Sequence, residues 1–141
     1  MNRVLLDVNV ILDVLLDRAP HAAASAAVWK AAETGSAEGL LAAHAVTTIY
    51  DLVSKARDSA QARRTIAKLL QVFRVAPVDH GVLERALTLR GADFEDCVTA
   101  AAADSAGCHW IVTRDPKGFR HSGVRALTPE VAAQLIDRAE Q

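Results

Sequence analysis

Three short, largely apolar runs, Val4-Leu5-Leu6, "LLAA" at 40–43 and "HWIVT" at 109–113, are separated by stretches of helical character. No feature restricts the fold more. A strand apolar on both sides must be covered on both sides, and strands alternating with helices pair in parallel. The pattern therefore predicts an α/β chain, a three-layer α/β/α sandwich with a central, mainly parallel sheet of four to five strands.

Reading by period and punctuation places strands at 3–6, at 40–43, within "VFRVAPV", at "HWIVT" and at "VRALT". Helices are expected from Val8 to Leu16, from Pro20 to about Glu33, at 45–57, at 59–71, and from a cap at Asp79 to Leu89, with Gly91 ending the last of these. "DFEDCVTAAAADSAG" forms another helix with Gly107 past its end, and Pro129 opens a terminal helix. No linker, repeat or low-complexity tract divides residues 1–141, so one domain is expected, and at 51% hydrophobic it can bury a core without disulfides. A net charge of -1 excludes a generally polycationic binder while leaving room for a local basic face. Cys97 and Cys108 lack metal-ligand spacing and are read as buried thiols in a reducing compartment. Asn9 and Asp13 interrupt the first apolar stretch, which is neither signal peptide nor membrane span; the expected location is cytoplasmic.

Ligands of open parallel sheets gather at the carboxyl ends of the strands. Asp7 follows the first strand, Asp115 follows "HWIVT", and the helix before "HWIVT" begins with Asp93 and Asp96. Singly, each has an ordinary role: Asp7 and Asp93 as helix caps, Asp115 before Pro116 as a turn opener. Together they would repel one another unless a cation lay among them, and hard oxygen ligands suit Mg²⁺ or Mn²⁺. Such a centre is suited to hydrolysing phosphodiesters. A phosphoryl-acceptor role for Asp7 fits poorly. Dehalogenase-type chemistry wants a second Asp where Asn9 stands, and a receiver wants an acidic pair near the first strand and a Lys after the last strands.

"LLDVNVILDVLL", "AHAVTTIYDLVSKA" and "DFEDCVTAAAADSAGCHWIVTRDPKGF" occur in that order between Arg3 and Pro129. Together they resemble the PIN-domain ribonucleases, in which a strand-end Asp is followed two residues later by Asn, Ser or Thr. The resemblance implies a divalent-metal endoribonuclease acting on single-stranded or structured RNA. Many relatives of this size are toxins of type II toxin–antitoxin pairs, so a cognate antitoxin and a homodimer are expected, with no membrane association. Position by position it matches Asp7, Asp96 and Asp115 to the acidic metal-site residues and Asn9 to the polar one, with Asp93 assisting and Thr113 beside Asp115. The sequence departs from the family at Thr48, where an acid is usual; Asp51 is the nearest replacement. A non-catalytic RNA- or protein-binding module with a degenerate site is the alternative.

Arg114, Lys117 and Arg120 flank Asp115 and are the candidate phosphate contacts. Lys55, Arg57, Arg63, Arg64 and Lys68 are read as a solvated basic face, and Asp13 as a solvated acid or the ion-pair partner of Arg18 rather than a support of the site. The five histidines have no ligand spacing; His44 and His109 are read as structural, and Trp29 and Trp110 as core.

Overall fold

Strand β1 (Asn2–Leu6) takes the middle of a five-stranded sheet. On one side lie β2 (Ala37–Ala42) and β3 (Arg74–Ala76), on the other β4 (Trp110–Val112) and β5 (Arg125–Leu127), in the order β3-β2-β1-β4-β5. All four pairings are parallel. This is a computed structural model, and it describes all of residues 1–141. No helix is long and apolar enough to cross a membrane.

The side-chain period of two divides β1 between two cores: Val4 and Leu6 face one layer, Leu5 the other. The first layer holds α1 (Val8–Leu15), α2 (Ala22–Thr34), α3 (Ala43–Ala56), α4 (Ser59–Val72) and α7 (Pro129–Glu140). Its core includes Val10, Ile11, Val28, Trp29, Ile49, Leu69 and Ile136, and Trp29 meets Phe73 edge to face at 5.2 Å. The second layer is thinner, with α5 (His80–Thr88) and α6 (Phe94–Ser105). Every residue of α6 from Cys97 to Ala103 is buried, and alanine at 100–103 lets this helix lie close to the strands. A helix connecting parallel strands runs antiparallel to them, so the amino end of α6 lies at the sheet's carboxyl edge.

Boundaries differ from expectation where tertiary contacts outweigh local signals. Strand β2 starts at Ala37, because Asn2 and Arg3 pair with Ala37 and Glu38, and Glu38 takes Arg3 at 3.0 Å and Arg74 at 3.4 Å. Helix α2 starts at Ala22 rather than at Pro20, which stays in the preceding turn. Gly91 does not cap α5, which ends when Leu89 turns extended. Instead its missing side chain makes room for neighbours: a Cβ there would lie 2.6 Å from His121 Cε1 and 2.7 Å from Cys97 Sγ. The turn that Asp115 and Pro116 open is a single 3₁₀ turn at Pro116–Phe119. Both cysteines are buried and free, and Trp29 is core as expected, whereas Trp110 is only partly buried.

From β1 the chain builds outward through β2 to β3, then crosses to β4 on the opposite side of β1. The order thus reverses between β1 and β4, and the crevice at their carboxyl ends is where open α/β sheets bind ligands.

Candidate active site

Asp7 is the first residue beyond β1, and its amide donates to the Val112 carbonyl at 2.9 Å, which holds it against the end of β4. Its two oxygens divide the work. Oδ1 accepts from the Val8 amide at 2.9 Å and caps α1, while Oδ2 accepts from Thr113 Oγ1 at 2.9 Å and from Asn9 Nδ2 at 3.4 Å. One oxygen thus caps the helix and leaves the other to Thr113 and Asn9. Burial pushes the Asp7 carboxyl above its usual range, partly offset by the bonds from Thr113 and Val8; Glu95 raises it further and His44 lowers it. The other end of the Asn9 amide, Oδ1, is buried and accepts no hydrogen bond.

Thr113 follows β4 and is fully buried. While its hydroxyl donates to Asp7, it accepts from the Asp115 amide at 3.2 Å, so one oxygen braces two acidic segments. Asp115, exposed, leads into the 3₁₀ turn, where Gly118 passes directly over the acids. A Cβ on Gly118 would lie 3.2 Å from Asp115 Oδ2 and 3.3 Å from Asp96 Oδ2, so these carboxylates converge on one spot from different elements.

The third element is the amino end of α6. Asp93 caps it, accepting from the Asp96 amide at 3.2 Å. Asp96, one turn in, has its carboxyl pushed up to about 6, by burial first and then by the charges of Asp93, Asp7, Glu95 and Asp115. The positive end of the helix dipole favours acids at this position. Burial and like-charged neighbours both oppose ionisation of Asp96, and a cation among these carboxylates would favour it.

Asp7, Asp96 and Asp115 thus meet at one edge, with Asn9, Thr113 and Asp93 beside them. Asp51 does not join them: it is exposed on α3 and is not among the charges acting on Asp7 or Asp96. Three residues from Thr48 on a helix, it faces a neighbouring direction. Thr48 is half-buried, and its hydroxyl points back at the His44 carbonyl, 3.5 Å away. No three acidic, imidazole or thiol groups already lie close enough to clasp an ion. Asp93 and Asp115 are exposed and Asp96 is half-buried.

Sequence reasoning missed three neighbours. Glu95 lies in the first turn of α6, and its charge acts on both Asp7 and Asp96. His44 lies one turn before Thr48, and that i, i+4 spacing was the available signal. Its Nε2 is 3.3 Å from Thr99 Oγ1, its Nδ1 is buried without a partner, and burial pulls the imidazole below its ordinary value. Arg90 is the third. Together with Lys117, Arg120 and His121 it lines a cleft of about 610 Å³ that Asp93, Asp96 and Asp115 also line. Arg90, Lys117 and Arg120 are exposed, and none forms an ion pair.

Arg114 is differently disposed: its Nε is 3.0 Å from Asp13 Oδ2. Asp13 pairs with Arg18 as expected, Nε to Oδ1 at 3.0 Å, yet it is fully buried rather than solvated. His109 is structural as read, its Nδ1 accepting from the Arg3 amide at 2.9 Å.

Residues 3–117 match the family model of the PIN domain. No curated protein matches the sequence. Among solved structures, the chain is similar to one from a DNA-bound VapBC of Salmonella typhimurium, with 14% identity and a TM-score of 0.72, over 92% of this chain and 99% of that one. It is also similar to a chain of FitAcB from Neisseria gonorrhoeae, with 21% identity, a TM-score of 0.67 and coverage of 89% and 97%. A Sarcin-Ricin loop cleaving toxin of the VapC type from Mycobacterium tuberculosis gives 16%, 0.62, 77% and 86%. At these identities the likeness is one of fold.

Proposed function

The chain belongs to the PIN-domain family, and from that premise we propose that it is a divalent-metal-dependent endoribonuclease cleaving single-stranded RNA. One observation carries the reading: Asp96 and Asp115 converge over Gly118 at the sheet's switch point, beside Asp7 and the orphaned Asn9 Oδ1. An oxygen-only donor set with a buried acceptor lacking a partner fits Mg²⁺ or Mn²⁺. Asp7, Asp96 and Asp115 would hold the ion, with Asp93 and Asn9 in support. When bound, such an ion supplies an activated water and neutralises charge on the phosphodiester.

The chain's own residues do the rest. Thr113 fixes Asp7 and Asp115 relative to each other, and Gly118 leaves the carboxylates accessible. Asp96 would meet the ion as its carboxylate, the form that burial and its acidic neighbours otherwise oppose. Arg90, Lys117 and Arg120, free of acidic partners, take the substrate phosphates along the cleft. Arg114 is left out of this set because Asp13 engages it. Asp7→Asn or Asp96→Asn should abolish metal-dependent cleavage of a single-stranded RNA oligonucleotide without unfolding the protein. Intact cleavage in either variant would refute the assignment.

Since one solved neighbour is a toxin-antitoxin complex from Klebsiella pneumoniae and the Mycobacterium tuberculosis neighbour is a toxin, we extend to this chain the role of toxin in a type II toxin–antitoxin pair, with a cognate antitoxin and a homodimeric state. Co-expression with the adjacent reading frame should relieve toxicity and co-purify a complex; no rescue and no co-purification would sink the pairing. A non-catalytic RNA- or protein-binding module is favoured by one observation, the absence of an acid at Thr48. It requires weak Mn²⁺ binding, and calorimetric titration separates the two.

A further inference from the structure

Asp13 is the feature that the reading above does not use. It lies on α1, is fully buried, and meets two guanidinium groups: Arg18 just past the end of its own helix, and Arg114 from the segment after β4. Both contacts are 3.0 Å, but the groups are not aligned as directed hydrogen bonds, so they are ionic contacts first. Removing a partner from a carboxylate that has been taken out of water is costly to stability.

Its place in the chain gives the contact meaning. Helix α1 begins immediately after Asp7, and Arg114 stands between Thr113 and Asp115. The Asp13–Arg114 pair therefore ties the helix that starts from one acid of the site to the segment that carries another. Thr113 makes a second tie between the same two segments through Asp7 Oδ2 and the Asp115 amide. Two braces at separate points fix a segment's orientation, whereas one leaves it free to pivot.

We propose that Asp13 is a positioning residue of the acidic site, acting through Arg114 to hold the Thr113–Asp115 segment against α1, with Arg18 completing its charge balance and serving only stability. This rests on the metal-centre reading given above. Groups that orient metal ligands without touching the metal commonly govern affinity by about 10–100-fold.

The two arginines make the inference testable, since they neutralise the same carboxylate and only one adjoins the site. Mn²⁺ affinity is measured by calorimetry, and metal-free thermal stability by circular dichroism, for the parent, Arg114→Gln, Arg18→Gln and Asp13→Asn. Arg114→Gln is expected to weaken Mn²⁺ binding about tenfold or more, with Arg114→Lys recovering part of the loss. Arg18→Gln is expected to lower the melting temperature and leave Mn²⁺ affinity within about twofold of the parent. Direction separates positioning from a bare field effect, because removing a positive charge beside a cation site would tighten binding. Asp13→Asn should show both losses; if it fails to fold, the arginine variants still decide. Unchanged or tighter Mn²⁺ binding in Arg114→Gln, where the parent binds and Asp7→Asn does not, overturns this inference alone. A parent that binds no Mn²⁺ overturns the metal-centre reading and this inference with it.

Discussion

Protons and the metal should compete for Asp96, and the size of that competition follows from the site. Its carboxyl titrates at about 6 in the folded chain against an ordinary 3.8, for burial first and then for the surrounding carboxylates. Only the ionised form can enter a cation's shell, so the apparent Mn²⁺ dissociation constant grows as the group protonates. One such proton weakens binding by about tenfold between pH 7 and pH 5, or ~1.4 kcal/mol. Asp7 is raised too, and acts in the same direction. The metal-free protein should show the matching trend in stability. An acid with a higher pKa folded than unfolded favours the fold while protonated, so its contribution is full below 3.8 and is lost as pH rises through about 6. Water screens much of Asp96, which reduces the effect to on the order of 1 kcal/mol. Calorimetric Mn²⁺ titrations at half-unit steps from pH 5 to 7.5 measure the competition, and Asp96→Asn should flatten the residual dependence. An affinity unchanged between pH 5 and 7 would refute the reasoning.

Three further outcomes are expected. Thr113→Val keeps the shape and removes the hydroxyl between Asp7 and the Asp115 amide, so it should cost ~1–3 kcal/mol in chemical denaturation and weaken Mn²⁺ binding as well. Gly91→Ala forces a methyl against His121 and Cys97 and should destabilise by ~1–3 kcal/mol on the same measurement. Converting Arg90, Lys117 and Arg120 together to Ala should weaken RNA binding to an Asp7→Asn background and lower the salt dependence of that binding, read by fluorescence anisotropy. Converting Arg63, Arg64 and Lys68 should do neither.

The layers and the acidic edge were legible because they depend on local signals. Apolar runs covered on both faces left few alternatives to a parallel sheet, and Asp7, Asp96 and Asp115 each sit where a strand ends or a helix begins. Most of what escaped depended on contacts distant in sequence. His44 looked like a residue before a helix, but α3 starts at Ala43 and so sets His44 against Thr99 of α6. Asp13 looked like a solvated acid because its second partner is a hundred residues away. Arg114, Lys117 and Arg120 looked equivalent along the chain, and only packing shows that Asp13 takes the first of them. Asp51 was reached for because Thr48 lacked a carboxylate; helical rotation carries it away from the cluster. Glu95 was overlooked beside Asp96, although the same helix turn displays both.

The most direct measurement is the anomalous diffraction of a crystal soaked in Mn²⁺. A peak is expected at the carboxyl end of β1 and β4, with oxygens of Asp7, Asp96 and Asp115 within about 2.0–2.3 Å of it. A crystal with those side chains ordered and no peak among them, or a peak held by other residues, would contradict the assignment of this edge as the metal centre.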